Sequence, residues 1–296
     1  MAQPGRGGRL TPAPERLSLP AGGLRFDALA AGPEDGPLVL LLHGFPQSSH
    51  QWRNQLPVLA AAGFRAVAPD QRGYSPEARP EGVAAYHVDR LVEDVLALAD
   101  ALGAGPFHLV GHDWGAIVAW VAAARHGGRL RSLTAVSTPH PLAMAEALGS
   151  PTGDQARRSA YVNLFRLPKV PERLLLAGEG GGLRKLFWNT GYTDREAVEE
   201  YVRLLHGPAA VTAALNWYRA VDLGTLAGVG PVEVPTLYVW STDDPALGRE
   251  AAERTAAYVR GRYRFVELAG VSHWVPEDSP ADLNVELLAH LGAAGA

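Results

Sequence analysis

The sequence predicts an α/β fold in which helices flank both faces of a mostly parallel central sheet, with a helical segment inserted before the last strands. Three observations lead to this prediction. Short apolar runs alternate with segments of helical spacing, which is the pattern of βαβ units. This alternation stops in the middle of the chain and then resumes. With 296 residues, 47% hydrophobic and 20% charged, the chain can also form one large core with an insertion.

The individual elements follow from local periodicity. Two short alternating segments, 16–19 and 24–28, predict an antiparallel pair ahead of the main sheet. Because βαβ units place successive strands parallel and cover both faces of the sheet, the remaining strands are expected to be parallel and buried. In chain order these elements are strand 38–42, helix 51–62, strand 64–68, helix 88–102, strand 107–110, helix 116–124, strand 133–137, strand 236–240, helix 249–258, strand 263–268 and helix 280–291.

The alternation breaks between residues 142 and 228, which contain aromatic residues, prolines and helical spacing but no convincing strand. We therefore expect a core made of residues 16–141 and 229–296, a helical cap formed by residues 142–228, and a loose N-terminal arm of residues 1–15. The glycine run 180–182 is interpreted as a flexible connection, since no strand precedes it and no phosphate-binding motif follows it. A cavity between core and cap is the expected small-molecule site.

Composition argues against several classes of function. The net charge is −4 and the pI is near 6.2, with basic residues scattered among acids, so nucleic-acid binding has little support. No apolar run approaches the length of a membrane span, and the first 22 residues lack the apolar region of a signal peptide. The absence of cysteine excludes disulfides, thiolate catalysis and cysteine metal sites, and it fits a cytoplasmic protein. We expect no contact with nucleic acid or membrane.

The most informative motif is Gly111-His112-Asp113-Trp114-Gly115, which joins an apolar strand to an apolar helix. Such a turn presents its central side chain as a nucleophile, and the flanking glycines let the backbone fold tightly. A carboxylate that attacks an alkyl carbon forms an ester that water can hydrolyse, whereas a serine would form a stable ether. Asp113 therefore predicts an alkyl electrophile such as an epoxide or an alkyl halide. The alternative is that Asp113 only caps the following helix.

Polar residues after two later strands supply the partners that this nucleophile needs. Asp243 and Asp244 follow the first strand after the insertion, and His273 follows the next strand. The order nucleophile, acid, histidine is typical of enzymes with this strand-to-helix turn. His273 is predicted to activate water, with Asp244 orienting its ring, while Asp243 is expected to face solvent.

Hydrolysis of an ester on Asp113 passes through a tetrahedral anion, which requires nearby hydrogen-bond donors. The backbone N–H groups of Phe45, after His43-Gly44, and of Trp114, at the helix start, are the predicted oxyanion hole. His43 itself is interpreted as a structural residue of its turn.

These motifs together resemble the α/β-hydrolases of the epoxide hydrolase branch, close to the haloalkane dehalogenases. The resemblance extends over nearly the whole chain from about Leu17, and it rests on five features: His43 to Pro46, Asp70 to Ser75, Gly111 to Gly115, Asp244 and His273.

In epoxide hydrolases two tyrosines of the cap bind the epoxide oxygen, and the resemblance assigns this role to Tyr161 and Tyr218. A phenol, with an ordinary pKa of about 10, stays protonated at neutral pH and can donate to the opening oxygen. Tyr74, Tyr192 and Tyr201 are expected to be packing or surface residues.

The resemblance thus implies an enzyme that converts an epoxide and water into a vicinal diol through an ester on Asp113, with no metal or organic cofactor. Trp188 and Trp217 are candidate substrate-binding residues. Two alternatives stay open: a haloalkane dehalogenase with the same triad, suggested by Trp114, and a hydrolase-like protein that binds a ligand without turnover. The expected partners are the epoxide and water, and the chain is expected to be a monomer or a homodimer.

Overall fold

The computed structural model describes residues 13–295, with side chains for all of them except residues 223, 227 and 295. Within this range eight strands form one sheet: β1 (Glu15–Ala21), β2 (Leu24–Ala31), β3 (Leu38–Leu42), β4 (Arg65–Pro69), β5 (Phe107–His112), β6 (Leu130–Val136), β7 (Thr236–Ser241) and β8 (Tyr263–Leu268). Most of the arm predicted over residues 1–15 lies outside the described residues, and β1 already begins at Glu15.

Thirteen α-helices accompany the sheet over the same described range. They are α1 (Leu56–Ala61), α2 (Val88–Ala101), α3 (Trp114–His126), α4 (Pro141–Gly149), α5 (Gln155–Arg158), α6 (Tyr161–Arg166), α7 (Val170–Asn189), α8 (Arg195–Leu204), α9 (Pro208–Ala220), α10 (Leu223–Ala227), α11 (Arg249–Arg254), α12 (Val275–Asp278) and α13 (Pro280–Gly295). None of these helices is long and apolar enough to span a lipid bilayer.

The strand order is β1-β2-β4-β3-β5-β6-β7-β8. The first two strands pair antiparallel with each other, and β2 pairs antiparallel with β4. All other neighbours, from β4 to β8, are parallel. The predicted mostly parallel sheet with a leading antiparallel pair is therefore confirmed, and the parallel strands all end at one edge of the sheet.

The two faces of the sheet bury separate apolar clusters. In β3, Leu40 and Leu42 join the cluster that α2 and α3 cover, whereas Val39 and Leu41 join the cluster beneath α1 and α13. Successive side chains of a strand point to opposite faces, so a strand covered by helices on both sides must be apolar throughout. This explains why all five side chains of β3 are buried.

The helix predicted over residues 51–62 is divided in two. A 3₁₀ turn spans Ser49–Asn54, with the Ser48 hydroxyl accepting from the N–H of His50, and α1 begins only at Leu56, followed by Pro57. Proline lacks an N–H and fits the first turn of a helix but not its interior. Pro57 therefore starts a new helix instead of continuing the preceding one.

Seven of the helices, α4 to α10, lie between β6 and β7, and no strand interrupts them in this described stretch. The glycine run 180–182 lies at a kink that joins two helical segments of α7, so Gly180 belongs to the predicted connection while the run forms no separate loop. The backbone leaves helical geometry at Ala177–Gly180, and Gly181 and Gly182 then continue the helix. A Cβ at Gly182 would lie 2.0 Å from the Leu174 carbonyl oxygen, so the close approach of the two halves of α7 requires glycine there.

Candidate active site

The turn between β5 and α3 presents Asp113 at the edge where the parallel strands end. Asp113 has φ 52° and ψ −120°, a conformation that costs a non-glycine residue about 1–3 kcal/mol. Its flanking glycines are required by close packing: a Cβ at Gly111 would lie 2.3 Å from the Gly115 carbonyl oxygen, and a Cβ at Gly115 would lie 2.3 Å from that of Leu42. The surrounding backbone thus holds the strained turn in place.

The Asp113 carboxylate lies between a backbone donor and a histidine. The N–H of Phe45 donates to Oδ1 at 2.8 Å, and Oδ2 lies 3.6 Å from Nε2 of His273. Burial raises the pKa of Asp113, but the nearby imidazoles of His273 and His112, together with the N–H of Trp114, outweigh burial and hold this pKa below its ordinary value. Asp113 forms no N-cap hydrogen bond with α3, so the helix-cap alternative finds no support.

His273, between β8 and α12, is oriented by a buried carboxylate. Its Nδ1–H donates to Oδ2 of Asp244 at 2.7 Å. The other oxygen of Asp244 accepts from the N–H groups of Ala246 and Leu247 at 2.8 and 3.0 Å. Burial lowers the pKa of His273, but the carboxylates of Asp244 and Asp113 outweigh burial and raise this pKa to about 10. His273 is therefore an imidazolium at neutral pH while Asp113 carries its charge.

The loop that carries Phe45 is supported by His43 and Gln71. Nε2 of His43 accepts from the backbone N–H of Gln71 at 3.1 Å, and the Gln71 side chain donates to the His43 carbonyl oxygen at 2.6 Å. Burial lowers the pKa of His43 to about 4, so its ring is neutral. This placement agrees with the interpretation of His43 as a turn residue. The part played by Gln71 was not predicted, because only the tertiary fold brings it to this loop.

A cavity of about 450 Å³ opens over Asp113 and His273. Most of its lining residues come from α6, α7 and α9, which face the strand ends, and the lining is largely apolar. The lining residues include Phe45, Leu164, Phe165, Leu174, Leu175, Leu186 and Trp274. Asp113 thus lies in a largely apolar chamber of the size that holds a small organic molecule.

Both predicted tyrosines line this cavity together with Asp113. Tyr161 begins α6, and Tyr218 lies on α9 with its ring 5.3 Å from that of Phe45 and 6.3 Å from that of Tyr161. Removal from bulk water raises the pKa of each hydroxyl above its ordinary value, and the Asp113 carboxylate acts in the same direction. Both phenols therefore stay protonated and can serve as donors within the cavity.

Neither Trp188 nor Trp217 lines the cavity, in contrast to the prediction. After the break in α7, its cavity face consists of Gly182, Lys185, Leu186 and Asn189. Trp188 falls outside this i, i+3, i+4, i+7 face and is 47% exposed. Trp217 is buried, and its indole N–H donates to the Arg72 carbonyl oxygen at 2.9 Å. The structure thus makes Trp188 a surface residue and Trp217 a core residue.

Sequence reasoning missed two cations that line the cavity. Arg158 donates to the Asp244 carbonyl oxygen at 2.5 Å and pairs with Asp154 at 2.7 Å. Lys185 lies on the cavity face of α7 and is exposed. The position of Lys185 in the sequence does not predict that it lines the cavity, because the break in α7 determines which side chains of that helix face the cavity. In the described part of the chain, no three His, Cys, Asp or Glu side chains are grouped to hold a metal ion.

A buried carboxylate four residues after His273 joins the site to α8. Glu277 accepts from the hydroxyls of Tyr192 and Tyr201 at 2.5 and 2.7 Å and also bonds the side chains of Arg53 and Gln47. We call these five residues the Glu277 cluster. Tyr192 and Tyr201 are packing residues, as predicted, but their hydroxyls also have a shared acceptor that the sequence did not indicate.

Fold and site together define an α/β-hydrolase whose nucleophile position carries an aspartate, and the comparisons with known proteins agree with this class. Residues 37–172 match the family model described as alpha/beta hydrolase fold. The AB hydrolase superfamily protein YfhM of Bacillus subtilis is 38% identical over 277 residues, which cover 91% of this chain and 95% of that protein. Epoxide hydrolase A of Mycobacterium tuberculosis is 32% identical, covering 94% of this chain and 98% of that protein.

The solved structure of Epoxide Hydrolase A from Mycobacterium thermoresistibile superposes with a TM-score of 0.82 and 30% identity, covering 94% of this chain and 98% of that one. This chain belongs to the α/β-hydrolase superfamily, in the branch that contains these epoxide hydrolases.

Proposed function

We propose that this protein is an epoxide hydrolase that converts an epoxide and water into a vicinal diol through a covalent ester on Asp113. One observation carries the proposal: a carboxylate nucleophile, a His-Asp pair and two phenol donors all border one apolar cavity. The names of the relatives in this branch support the same chemistry.

The first step is attack by Asp113 on an epoxide carbon. Oδ1 is held by the Phe45 N–H, so Oδ2 is the oxygen available to form the new carbon–oxygen bond. The bond between that carbon and the epoxide oxygen breaks, and the oxygen takes its proton from Tyr161 or Tyr218. A phenol is suited to this transfer because the developing alkoxide is much more basic than a phenolate.

The second step is hydrolysis of the ester by water that His273 deprotonates. In the free enzyme both Asp113 and Asp244 keep His273 protonated. Ester formation removes the charge of Asp113, so the pKa of His273 falls. The proton that His273 then loses returns to the phenolate left by the first step, and the neutral ring can act as a base. The water attacks Cγ of Asp113, the resulting anion is held by the N–H groups of Phe45 and Trp114, and collapse releases the diol and regenerates the carboxylate.

The helices of residues 142–228 act in this proposal as a cap over the site. They contribute both tyrosines and most of the apolar cavity wall. A low-dielectric wall around Asp113 strengthens its interactions with the reacting atoms and keeps out water that is not positioned by His273.

The cavity favours an epoxide over an alkyl halide. A dehalogenase of this kind binds the departing halide with the tryptophan after the nucleophile and a second tryptophan or asparagine. Here the indole N–H of Trp217 already donates to the Arg72 carbonyl oxygen, and Phe45 occupies the position where such dehalogenases often have asparagine. The donors that do border the cavity are the two tyrosines, which match an epoxide oxygen.

The test is a panel of aliphatic, aryl and fatty epoxides, with the diol measured by mass spectrometry. Wild-type protein is expected to form diols, and Asp113→Ala is expected to form none. His273→Gln is expected to stop after the first step and to accumulate the ester, visible as the mass of the epoxide added to the peptide that contains Asp113.

Three outcomes would contradict the proposal. Full diol formation by Asp113→Ala would exclude the covalent mechanism. Bromide release from a bromoalkane without diol formation from any epoxide would identify a dehalogenase. Tight binding of epoxides without turnover by the wild-type protein would identify a ligand-binding protein.

A further inference from the structure

The cap carries a concentration of exposed apolar side chains beside the mouth of the cavity. Across the described residues, eight large apolar side chains are exposed, and six of them lie between residues 161 and 188. Four lie within one short stretch over α6 and the start of α7, namely Leu164, Leu167, Val170 and Leu174. Clusters of this kind on a folded surface mark interaction sites.

The longer segment that contains this stretch, residues 155–189, is strongly basic. Residues 155–189 contain seven basic and two acidic residues, although the whole chain has a net charge of −4. One of the two acids, Glu172, is buried and pairs with Arg219 at 2.8 Å. The exposed surface of this stretch therefore carries a positive charge that the composition of the whole chain conceals.

Four of these cations have no carboxylate partner within the part of the chain that the structure describes. They are Arg166, Lys169, Arg173 and Lys185, and all four are exposed. Their neighbours differ in this respect, since Arg158 pairs with Asp154 and Arg184 pairs with Glu199. Both lysines of the chain belong to the unpaired set.

We propose that the four apolar residues and the four unpaired cations form a docking face that binds the surface of an anionic lipid bilayer, which departs from the expectation of no membrane contact that was drawn from the overall composition. Exposed apolar side chains enter the interface of a bilayer, while nearby Lys and Arg side chains attract its anionic headgroups. Unpaired cations spread among aliphatic residues match a fluid anionic surface, because lipid headgroups need not meet them in a fixed pattern.

The docking face also borders the entrance of the cavity. Leu164, Leu174 and Lys185 are exposed and line the cavity at the same time. A molecule dissolved in the bilayer could pass from the lipid into the cavity along an apolar path. This consequence rests on the proposed function, but the docking itself does not, and it can be measured without any substrate.

The experiment measures co-sedimentation of the full chain with lipid vesicles. One set of vesicles is pure phosphatidylcholine, and the other contains phosphatidylglycerol in addition. We expect the protein to bind the anionic vesicles and to be released as salt is raised, because salt screens the attraction between cations and headgroups. Binding to pure phosphatidylcholine is expected to be much weaker.

Two double variants test the face. Lys169→Gln/Arg173→Gln is expected to weaken binding to anionic vesicles by roughly 30-fold, since each cation near such a surface contributes about 1 kcal/mol. Leu167→Ser/Val170→Ser is expected to weaken binding at both low and high salt. None of these four residues lines the cavity, so diol formation from a water-soluble epoxide should be unchanged in both variants.

Matched controls come from the opposite part of the molecule. Arg262 is exposed and forms no ion pair with any described residue, and Val285 on α13 is 67% exposed. Arg262→Gln and Val285→Ser are expected to bind vesicles like the wild-type protein.

Three results would overturn the proposal. The protein could fail to bind anionic vesicles, or it could bind them equally well in both double variants. It could also form a dimer that Leu167→Ser/Val170→Ser dissociates, without any vesicle binding, which would make the face a contact between two copies of the chain. Failure of the proposed function would appear separately, as absence of diol in the assay without vesicles.

Discussion

At the scale of single residues, Asp113 and His273 set each other's charge. Oδ2 of Asp113 and Nε2 of His273 lie 3.6 Å apart in a buried site. The carboxylate helps to raise the pKa of His273 to about 10, and the imidazole helps to lower the pKa of Asp113. In the proposed mechanism, the ionised Asp113 of the free enzyme is therefore ready for nucleophilic attack, and the ester is the state in which His273 can act as a base.

The dependence of the His273 pKa on the Asp113 charge leads to a prediction for the variant Asp113→Ala. Without the Asp113 charge, Asp244 alone must compensate the burial of His273, so the pKa of His273 is expected to fall from about 10 toward its ordinary value. The measurement is an NMR titration of the His273 ring. An unchanged pKa in this variant would show that the two side chains do not interact as described.

The two tyrosines allow a second prediction at this scale. Tyr161→Phe and Tyr218→Phe each keep the ring and leave one phenol in the cavity, so each should retain part of the rate of ester formation. The double variant should lose about 10²–10⁴-fold, the usual contribution of a general acid. Single-turnover measurement of the Asp113 ester tests this. Equal rates in the double variant and the wild type would exclude both hydroxyls as proton donors.

At the scale of elements, the Glu277 cluster joins three parts of the molecule. Glu277 lies on α12 after the histidine, Gln47 and Arg53 follow the Phe45 loop, and Tyr201 lies on α8. Burial disfavours the charge of Arg53, but the Glu277 carboxylate outweighs burial and raises the pKa of Arg53 above its ordinary value. The cluster thus fixes α8 against the loops that carry Phe45 and His273.

Tyr201→Phe tests the strength of this connection. It removes a hydroxyl that donates to the Glu277 carboxylate at 2.7 Å, so the free energy of unfolding should fall by about 1.5–3 kcal/mol. Tyr263→Phe is the control, because the buried Tyr263 hydroxyl has no hydrogen-bond partner among the described residues. In urea denaturation, the free energy of unfolding of the control should fall only slightly or should rise. Equal losses in both variants would mean that the bond to Glu277 contributes nothing specific.

The break in α7 allows a similar comparison between adjacent glycines. Gly182→Ala should destabilise the fold by about 1–3 kcal/mol, since its Cβ would meet the Leu174 carbonyl oxygen at 2.0 Å. A Cβ at Gly181 would meet no atom within 4 Å. Gly181→Ala should therefore stabilise the helix by about 0.5–1 kcal/mol. Thermal unfolding of both variants measures the difference. If Gly181→Ala were the less stable of the two variants, the close contact with the Leu174 carbonyl oxygen would not be at Gly182.

At the scale of the whole molecule, buried histidines make the stability depend on pH. Burial lowers the pKa of five of them to between about 3 and 4, namely His43, His108, His112, His140 and His290. Below pH 6.5 these groups take up protons in the unfolded chain before they do so in the folded protein, so stability falls as the pH falls from 6.5 toward 4.

His273 acts in the opposite direction because its pKa is raised in the folded protein. Its contribution is fully present below pH 6.5 and is lost as the pH rises toward 10. The free energy of unfolding in urea should therefore be greatest near pH 6.5 and fall on both sides. Asp113→Ala should lose less stability between pH 6.5 and 9.5 than the wild type. A flat profile from pH 4.5 to 9.5 would contradict both assignments.

Much of the fold and the central part of the site followed from local sequence. Inner strands such as β3 are apolar on both faces because helices cover both faces, and this pattern is visible without a structure. Asp113, Asp244 and His273 each follow a predicted parallel strand, and parallel strands end at a common edge, so their proximity could be expected. Even the choice of Asp244 over Asp243 agrees with the structure, in which Asp243 is exposed and Asp244 is buried.

The errors concern side chains whose direction depends on packing between distant segments. The composition of the cap suggested Trp188 and Trp217 as cavity residues, but the helical face at Trp188 and the bond from Trp217 to Arg72 place them elsewhere. Gln71 and Glu277 gave no signal as supporting residues, because their partners lie 28 residues or more away in the chain.

The sequence by itself determined the order of strands and helices, the aspartate at the nucleophile turn and the acid and histidine that follow it, because periodicity and turn chemistry are local properties. Only the tertiary structure decided which side chains between residues 142 and 228 surround the cavity, which carboxylates set the charge of His273, and which cations are left unpaired at the surface. These depend on distances between segments that are remote in the chain, and such distances exist only once the apolar faces of the helices have packed on the sheet.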